Sequence, residues 1–70
     1  MVYVIRDASG VADGVNRVFA SPAAYRPGTV SVWLNGQAIP QFVELGGLLV
    51  ELDEAPRTDD TVSIGFVPLL

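Results

Sequence analysis

The chain has 70 residues, of which 50% are hydrophobic, and eight acidic residues outnumber four basic ones for a net charge of −4. All the basic residues are arginine, and the sequence contains no lysine, histidine or cysteine. These absences exclude a disulfide framework, a thiolate zinc site, a cysteine nucleophile and a lysine Schiff base. They also remove histidine, the commonest metal ligand. The acidic balance argues against nucleic-acid binding, which requires clustered basic charge.

The length predicts a single domain, residues 1–70, with a small hydrophobic core. Folding would bury about 6,500 Å² of surface, which gives hydrophobic stabilisation on the order of 100 kcal/mol. Ordering the chain costs about 105 kcal/mol, so the two terms nearly cancel. Since small domains usually add a disulfide, a metal or a partner subunit, we expect this one to gain stability from a partner. The alternative is a marginally stable monomer.

No stretch of the sequence suits a membrane, because the longest apolar run, residues 66–70, is short and is interrupted by Pro68. Residues 1–7 lack the basic region and the small-residue cleavage site of a signal peptide. We therefore expect an unprocessed product of the cytoplasm that contacts neither membrane nor nucleic acid.

Short segments with alternating or β-branched apolar residues predict seven strands in chain order: residues 1–6, 16–20, 29–35, 37–39, 41–45, 48–52 and 61–67. Turn residues lie between them. Residues 7–10 and 13–14 are rich in Asp and Gly, and the connection 21–28 ends in the Pro27-Gly28 pair that is typical of a type II turn. Asn35-Gly36 predicts a type I′ hairpin, and Gly46-Gly47 predicts a second tight turn.

The segment 29–35 gives the clearest strand pattern. Val30, Val32 and Leu34 alternate with polar residues, and Trp33 is the exception on the polar face. No window predicts a helix longer than about one turn, because prolines interrupt the best candidate segment. The pattern as a whole predicts an all-β fold, a small antiparallel β-sandwich or barrel of six to seven short strands.

The residues that could carry chemistry are mostly acidic and cluster late in the chain, at Glu51, Asp53, Glu54, Asp59 and Asp60. Converging carboxylates suit calcium, but this spacing does not match an EF-hand loop, so a solvated acidic loop is the preferred interpretation. Serine and threonine lack a neighbouring base, the scattered glycines form no phosphate-binding loop, and a domain this small has little room for a carboxylate cleft. We predict no cofactor and no enzymatic activity.

Four apolar or aromatic residues are candidates for a protein interface. Trp33 and Tyr25 are the first two, because Trp and Tyr dominate binding hot spots. Trp33 has an equally good structural explanation, as a cover for a second core layer. Leu69 and Leu70 are the others. They follow Pro68 in a tail, residues 68–70, that either frays or docks on a neighbouring molecule, and docking is preferred.

Five stretches form a series along the chain: DGVNRVF at 13–19, YRPGTV at 25–30, VWLNG at 32–36, EAP at 54–56 and DTVSI at 60–64. This series resembles the small β-domains of tailed-bacteriophage structural proteins, and the resemblance covers about residues 10–67. It implies a structural subunit of the virion, located there after synthesis in the host cytoplasm, with other virion proteins and copies of itself as partners. It carries over no catalytic residues.

The resemblance leaves open which part of the virion is concerned. A free-standing domain suits a head-decoration, head–tail or tail accessory protein better than a receptor-binding fibre tip, because a fibre needs a shaft. The alternative function is a binding module for a host-surface glycan or protein that uses Trp33, Tyr25 and the acidic loop.

Overall fold

A computed structural model describes residues 2–69 and confirms the all-β prediction. Its seven strands are β1 (Val4–Asp7), β2 (Val18–Ala20), β3 (Ser31–Leu34), β4 (Gln37–Ile39), β5 (Phe42–Gly46), β6 (Leu49–Leu52) and β7 (Val62–Phe66). Each lies within or close to one of the predicted segments. No helix among residues 2–69 is long and apolar enough to cross a membrane.

The strands form two antiparallel sheets. The four-stranded sheet has the order β1-β7-β3-β4, and the three-stranded sheet has the order β2-β6-β5. Only β3–β4 and β5–β6 are hairpins between consecutive strands; the other pairings join distant parts of the chain. The last strand, β7, therefore lies in the middle of its sheet, between β1 and β3.

The two predicted hairpin turns and the predicted type II turn are present. Asn35 and Gly36 both have positive φ, 52° and 84°, as a type I′ turn requires. Gly46 and Gly47 have φ of 96° and 63° in the β5–β6 turn. Gly28 has φ of 83°, and the Thr29 N–H donates to the Arg26 carbonyl at 3.2 Å, which closes the turn over Pro27.

Both sheets contribute their inner faces to one hydrophobic core. On β7 the alternation that predicts the strand also places Val62, Ile64 and Phe66 inside, and Val32 lies beside them on β3. The three-stranded sheet contributes its own buried side chains, and Tyr25 and Val30 complete the cluster. The residues contributed by the three-stranded sheet are Phe19, Val50 and Leu52.

The sheets also meet at one corner. Ser9 and Ala20 exchange backbone hydrogen bonds of 2.8 Å in both directions, so the chain that leaves β1 pairs directly with β2. A second isolated pairing joins Tyr25 to Pro68. The chain therefore passes from one sheet to the other without losing backbone pairing.

Asn35 connects the β3–β4 turn to the loop before β7. Its backbone N–H donates to the Thr61 carbonyl and its side-chain oxygen accepts from the Thr61 N–H, both at 2.8 Å. Its Nδ2 donates to Asp60 Oδ1 at 2.9 Å, and Asp60 Oδ2 accepts from the Arg57 N–H at 2.8 Å. The turn residue that fixes the hairpin thus also positions the acidic loop.

This network makes the stability of the protein sensitive to acid. The side-chain donor of Asn35, together with the Arg57 N–H, holds the pKa of Asp60 below its ordinary value of 3.8. A carboxyl group whose pKa is lowered by folding stabilises the fold above its unfolded-state pKa, and this contribution is lost as pH falls through the folded-state pKa. Asp13, which accepts N–H groups of Asn16 and Val15, has a lowered pKa of the same origin.

We therefore expect the urea midpoint to decline as the pH falls below about 4, and the decline to be smaller in Asp60→Asn than in the wild type. The measurement is a set of urea titrations across that pH range. Asp53→Asn is the matched control, because within residues 2–69 the Asp53 side chain makes no hydrogen bond. Identical pH profiles for Asp60→Asn and the wild type would show that the Asn35–Asp60 contact contributes nothing.

Candidate functional site

The outer face of the four-stranded sheet, which points away from the core, carries an apolar surface centred on Gly65. Gly65 on β7 lies opposite Ile5 on β1 and opposite Ser31 on β3. Trp33 lies one row further along the sheet, opposite Ala38. Since residues in register share a face of a sheet, these side chains all point outward.

Two aromatic rings close over the backbone of Gly65. A β-carbon built at this position would lie 2.8 Å from Trp33 Cζ3 and 2.8 Å from Tyr3 Cζ, so only glycine leaves room for both rings. Tyr3 and Ile5 are exposed by 47% and 52%, while Trp33 is half-buried. We call Tyr3, Ile5 and Trp33 the aromatic patch. Trp33 thus covers the outer side of the sheet and keeps part of its surface exposed.

A second apolar surface lies on the three-stranded sheet. Val43, Leu45, Leu48 and Leu49, on β5, β6 and the turn between them, are all exposed. We call these four residues the hairpin face. Glu51 lies opposite Val43 in register and forms an exposed ion pair with Arg17 at 3.7 Å, beside an open groove of about 470 Å³. This sheet therefore presents mainly aliphatic surface to its surroundings.

Tyr25, a predicted interface residue, lies inside the fold, and the expectation for it needs correction. Its side chain is only 3% exposed. Its hydroxyl donates to the Leu49 carbonyl at 2.6 Å and accepts from the Gly46 N–H at 3.0 Å. These bonds hold the connection before β3 against the β5–β6 hairpin, and they leave no ring surface for a partner.

We expect Tyr25→Phe to lower the free energy of unfolding by about 1–3 kcal/mol, because it leaves the Leu49 carbonyl and the Gly46 N–H without their partner. Urea unfolding followed by circular dichroism measures the loss. Tyr3→Phe is the matched control, since Tyr3 is exposed and its loss should stay within about 0.5 kcal/mol. Equal losses in the two variants would contradict the structural role of Tyr25.

The tail, residues 68–70, is bonded to its own chain as far as the structure describes it. Pro68 pairs with Tyr25, and the Leu69 N–H donates to the Ala24 carbonyl at 3.0 Å. Pro68 does not end the pairing, because the bonds on either side of it use its neighbours, the Val67 carbonyl, which accepts from the Arg26 N–H at 2.9 Å, and the Leu69 N–H. The Leu69 side chain is exposed beside Ala23. Leu70 lies outside the described residues.

The acidic residues do not converge on a common point. Within residues 2–69 no group of three or more Asp and Glu side chains is placed to hold a metal ion. Glu51 pairs with Arg17, and Asp60 is held by Asn35. Glu44, which the sequence pattern did not single out, accepts the Gly28 N–H with both carboxylate oxygens, at 2.9 and 3.1 Å. Several carboxylates therefore fix loops and turns.

Comparisons with known proteins add no relative to this picture. No protein-family model, curated protein or solved structure matches the chain. The functional conclusion therefore depends on the sequence pattern and on the two exposed apolar surfaces.

Proposed function

We propose that this chain is a structural subunit of a bacteriophage virion, as a head-decoration, head–tail or tail accessory protein. In this role it is not an enzyme and needs no cofactor; it acts through contacts with copies of itself and with other virion proteins. The observation that carries the proposal is the exposure of large apolar side chains on the outer faces of both sheets, in the aromatic patch and the hairpin face. The resemblance of residues 10–67 to phage β-domains supports the virion as their setting.

Exposed apolar surface on a domain this small favours a partner. Monomeric soluble proteins rarely expose contiguous apolar patches beyond a few hundred Å², and larger ones usually mark interaction sites. Because the two sheets pack their inner faces together, the aromatic patch and the hairpin face point in different directions. A subunit with two such faces can contact two neighbours at once, which suits repeated assembly on a particle.

The experiment is incorporation of variants into virions. We expect Trp33→Ala and Val43→Ser to be incorporated about tenfold less than wild type, which corresponds to about 1.4 kcal/mol of lost contact energy at each face. Val15→Ser is the matched control, because Val15 is an exposed aliphatic residue outside both surfaces. Quantitative mass spectrometry of purified particles gives the incorporation, and urea unfolding of each purified variant shows whether it folds. Equal incorporation of folded Val43→Ser and Val15→Ser would argue against the hairpin face as a contact.

A binding module for a host-surface glycan or protein is the second candidate. The observation in its favour is the pair of rings over Gly65, because Tyr and Trp side chains offer flat apolar surface with a polar edge, and Tyr3 is exposed while Trp33 is half-buried. In this function the tyrosine of the binding surface is Tyr3, whereas the sequence pattern predicted Tyr25, which is buried. A glycan array probed with and without calcium tests this function. Binding that is lost in Trp33→Ala would support it, and no binding in either condition would leave the structural role.

A further inference from the structure

The two sheets have four outer edges, and three of them carry features that discourage further strand pairing. β4 has three residues and ends just before Pro40. β5 is irregular, with a register shift between Glu44 and Gly46. β2 also has three residues, and Ser9 pairs with its outer side. Short strands, bulges, proline and charged side chains are the usual means by which proteins protect sheet edges; β1 has neither bulge nor proline, and its protection consists of the charges of Arg6 and Asp7.

The outer side of β1 carries backbone groups that no other strand within residues 2–69 pairs with. Ala8, just after β1, donates its N–H to the Val62 carbonyl of the neighbouring strand. Because hydrogen-bonding direction alternates along an antiparallel strand, Val4 and Arg6 also face β7, while Tyr3, Ile5 and Asp7 direct their backbone groups outward. The Arg6 guanidinium donates to the Ile5 carbonyl at 2.9 Å, which agrees with an outward direction for that carbonyl.

We propose that β1 pairs antiparallel with β1 of a second copy of this chain, with Ile5 on the two-fold axis. In this register Tyr3 lies opposite Asp7 of the second copy, and Val4 lies opposite Arg6. The outward-facing backbone groups then exchange about six hydrogen bonds across the axis. The Ile5 carbonyl exchanges its bond to Arg6 for the N–H of Ile5 in the second copy.

Several registers would pair the outward-facing backbone groups of β1, and charge distinguishes between them. An axis at Arg6 would place two arginines directly opposite each other, and an axis at Asp7 would do the same with two carboxylates; like charges in such positions are destabilising. An axis at Val4 would leave Asp7 outside the pairing. With the axis at Ile5, no two like charges lie directly opposite each other, and the whole of β1 is paired.

The pairing would join the two four-stranded sheets into one continuous sheet. The outer faces of the two copies would then be continuous, so that Ile5 meets Ile5 and the two aromatic patches form a single larger surface. This inference rests on the proposed function, in which copies of the chain contact one another, and it names the contact and its register.

Disulfide trapping tests the register directly, because the chain has no cysteine of its own. In the proposed dimer, cysteines at Ile5→Cys face each other with Cα atoms about 5.5 Å apart, within disulfide range. We expect covalent dimers from Ile5→Cys under mild oxidation, and much slower trapping from Arg6→Cys and from the exposed loop control Val15→Cys. Faster trapping by Arg6→Cys would overturn the register. Faster trapping by Val43→Cys would place the contact on the hairpin face instead.

Blocking variants test the edge itself by sedimentation velocity. Ile5→Pro removes an outward N–H, and proline is tolerated on edge strands at such positions. Ile5→Lys places a charge on the axis and serves as a second variant in case proline prevents folding. We expect either change to weaken the dimer roughly 30-fold or more, since both hydrogen bonds of the Ile5 pair are lost or opposed by charge.

The outcomes separate this inference from the proposed function. A wild-type chain that is monomeric at about 100 μM, a concentration that would reveal even weak pairing, overturns the edge pairing. So does a dimer that Ile5→Pro and Ile5→Lys leave unchanged. If such a chain is still incorporated into virions, the proposed function stands without the edge contact. An edge-paired dimer that is absent from virions supports the pairing and contradicts the virion role.

Discussion

Phe66→Ala is expected to leave a large fraction of the protein unfolded at 25 °C. Phe66 lies at the end of β7, the strand between β1 and β3, and its side chain is 1% exposed. Truncating a buried phenylalanine removes contacts with both sheets and costs about 4 kcal/mol. A domain of this size rarely gains more than about 3–5 kcal/mol of net stability from its core, so little would remain.

Urea unfolding measured by circular dichroism and by the fluorescence of Trp33, the only tryptophan, gives the free energy of unfolding of this variant. Val43→Ala is the matched control, because it removes an apolar side chain of the hairpin face that is 57% exposed. Its free energy of unfolding should stay within about 0.5 kcal/mol of wild type. Similar losses in the two variants would show that the core is not where the structure places it.

Gly10→Ala is expected to cost about 3 kcal/mol, from backbone strain and crowding of the core together. Gly10 has φ of 150°, a conformation that other residues rarely adopt. A β-carbon at this position would lie 2.5 Å from Cδ2 of Phe19, a buried side chain that has little room to move. The expected result is a lower urea midpoint together with a changed near-ultraviolet spectrum of the core aromatic residues.

Gly14→Ala separates the two causes. Gly14 has φ of 82°, but no atom lies within 4 Å of the β-carbon that alanine would add. Only backbone strain applies there, and its cost is about 1 kcal/mol. If Gly10→Ala were no more destabilising than Gly14→Ala, the close contact between Gly10 and Phe19 would contribute nothing to stability.

Local sequence patterns were sufficient to predict the strands and their turns. Val62, Ile64 and Phe66 alternate with small or polar residues, so the pattern predicts both a strand and the face that is buried. Asn35 and Gly36 tolerate the positive φ that a two-residue hairpin needs. These features depend on residues close together in the chain, and for that reason they can be predicted from it.

The order of strands in the sheets could not be predicted in the same way. Alternation shows which side of β7 faces the core, but it does not show that β1 and β3 are its neighbours. That choice depends on packing between distant segments, such as Gly65 with Tyr3 and Trp33. The glycine in the middle of a strand was the available signal, since such positions often mark a close approach by another group.

The interface residues show the limit of composition-based prediction. A tyrosine combines an apolar ring with a hydroxyl, and this combination suits either an interface or a buried position with hydrogen-bond partners. Tyr25 has the second role and Tyr3 the surface position, although nothing in their local sequences distinguishes them. The exposed aliphatic side chains of the hairpin face lie in segments that the sequence predicts as strands. The pattern does not predict that these side chains are exposed, because each sheet has an outer face as well as the face that points to the core.

The most direct test of the virion role is quantitative mass spectrometry of purified virions from cells that produce this chain. Cleavage after Arg6 and Arg17 releases the peptide 7–17, whose amount relative to the major capsid protein can be measured. We predict that this peptide is present at a constant molar ratio through successive steps of particle purification. A chain that is abundant in the producing cells but absent from the purified particles would contradict the role as a virion subunit.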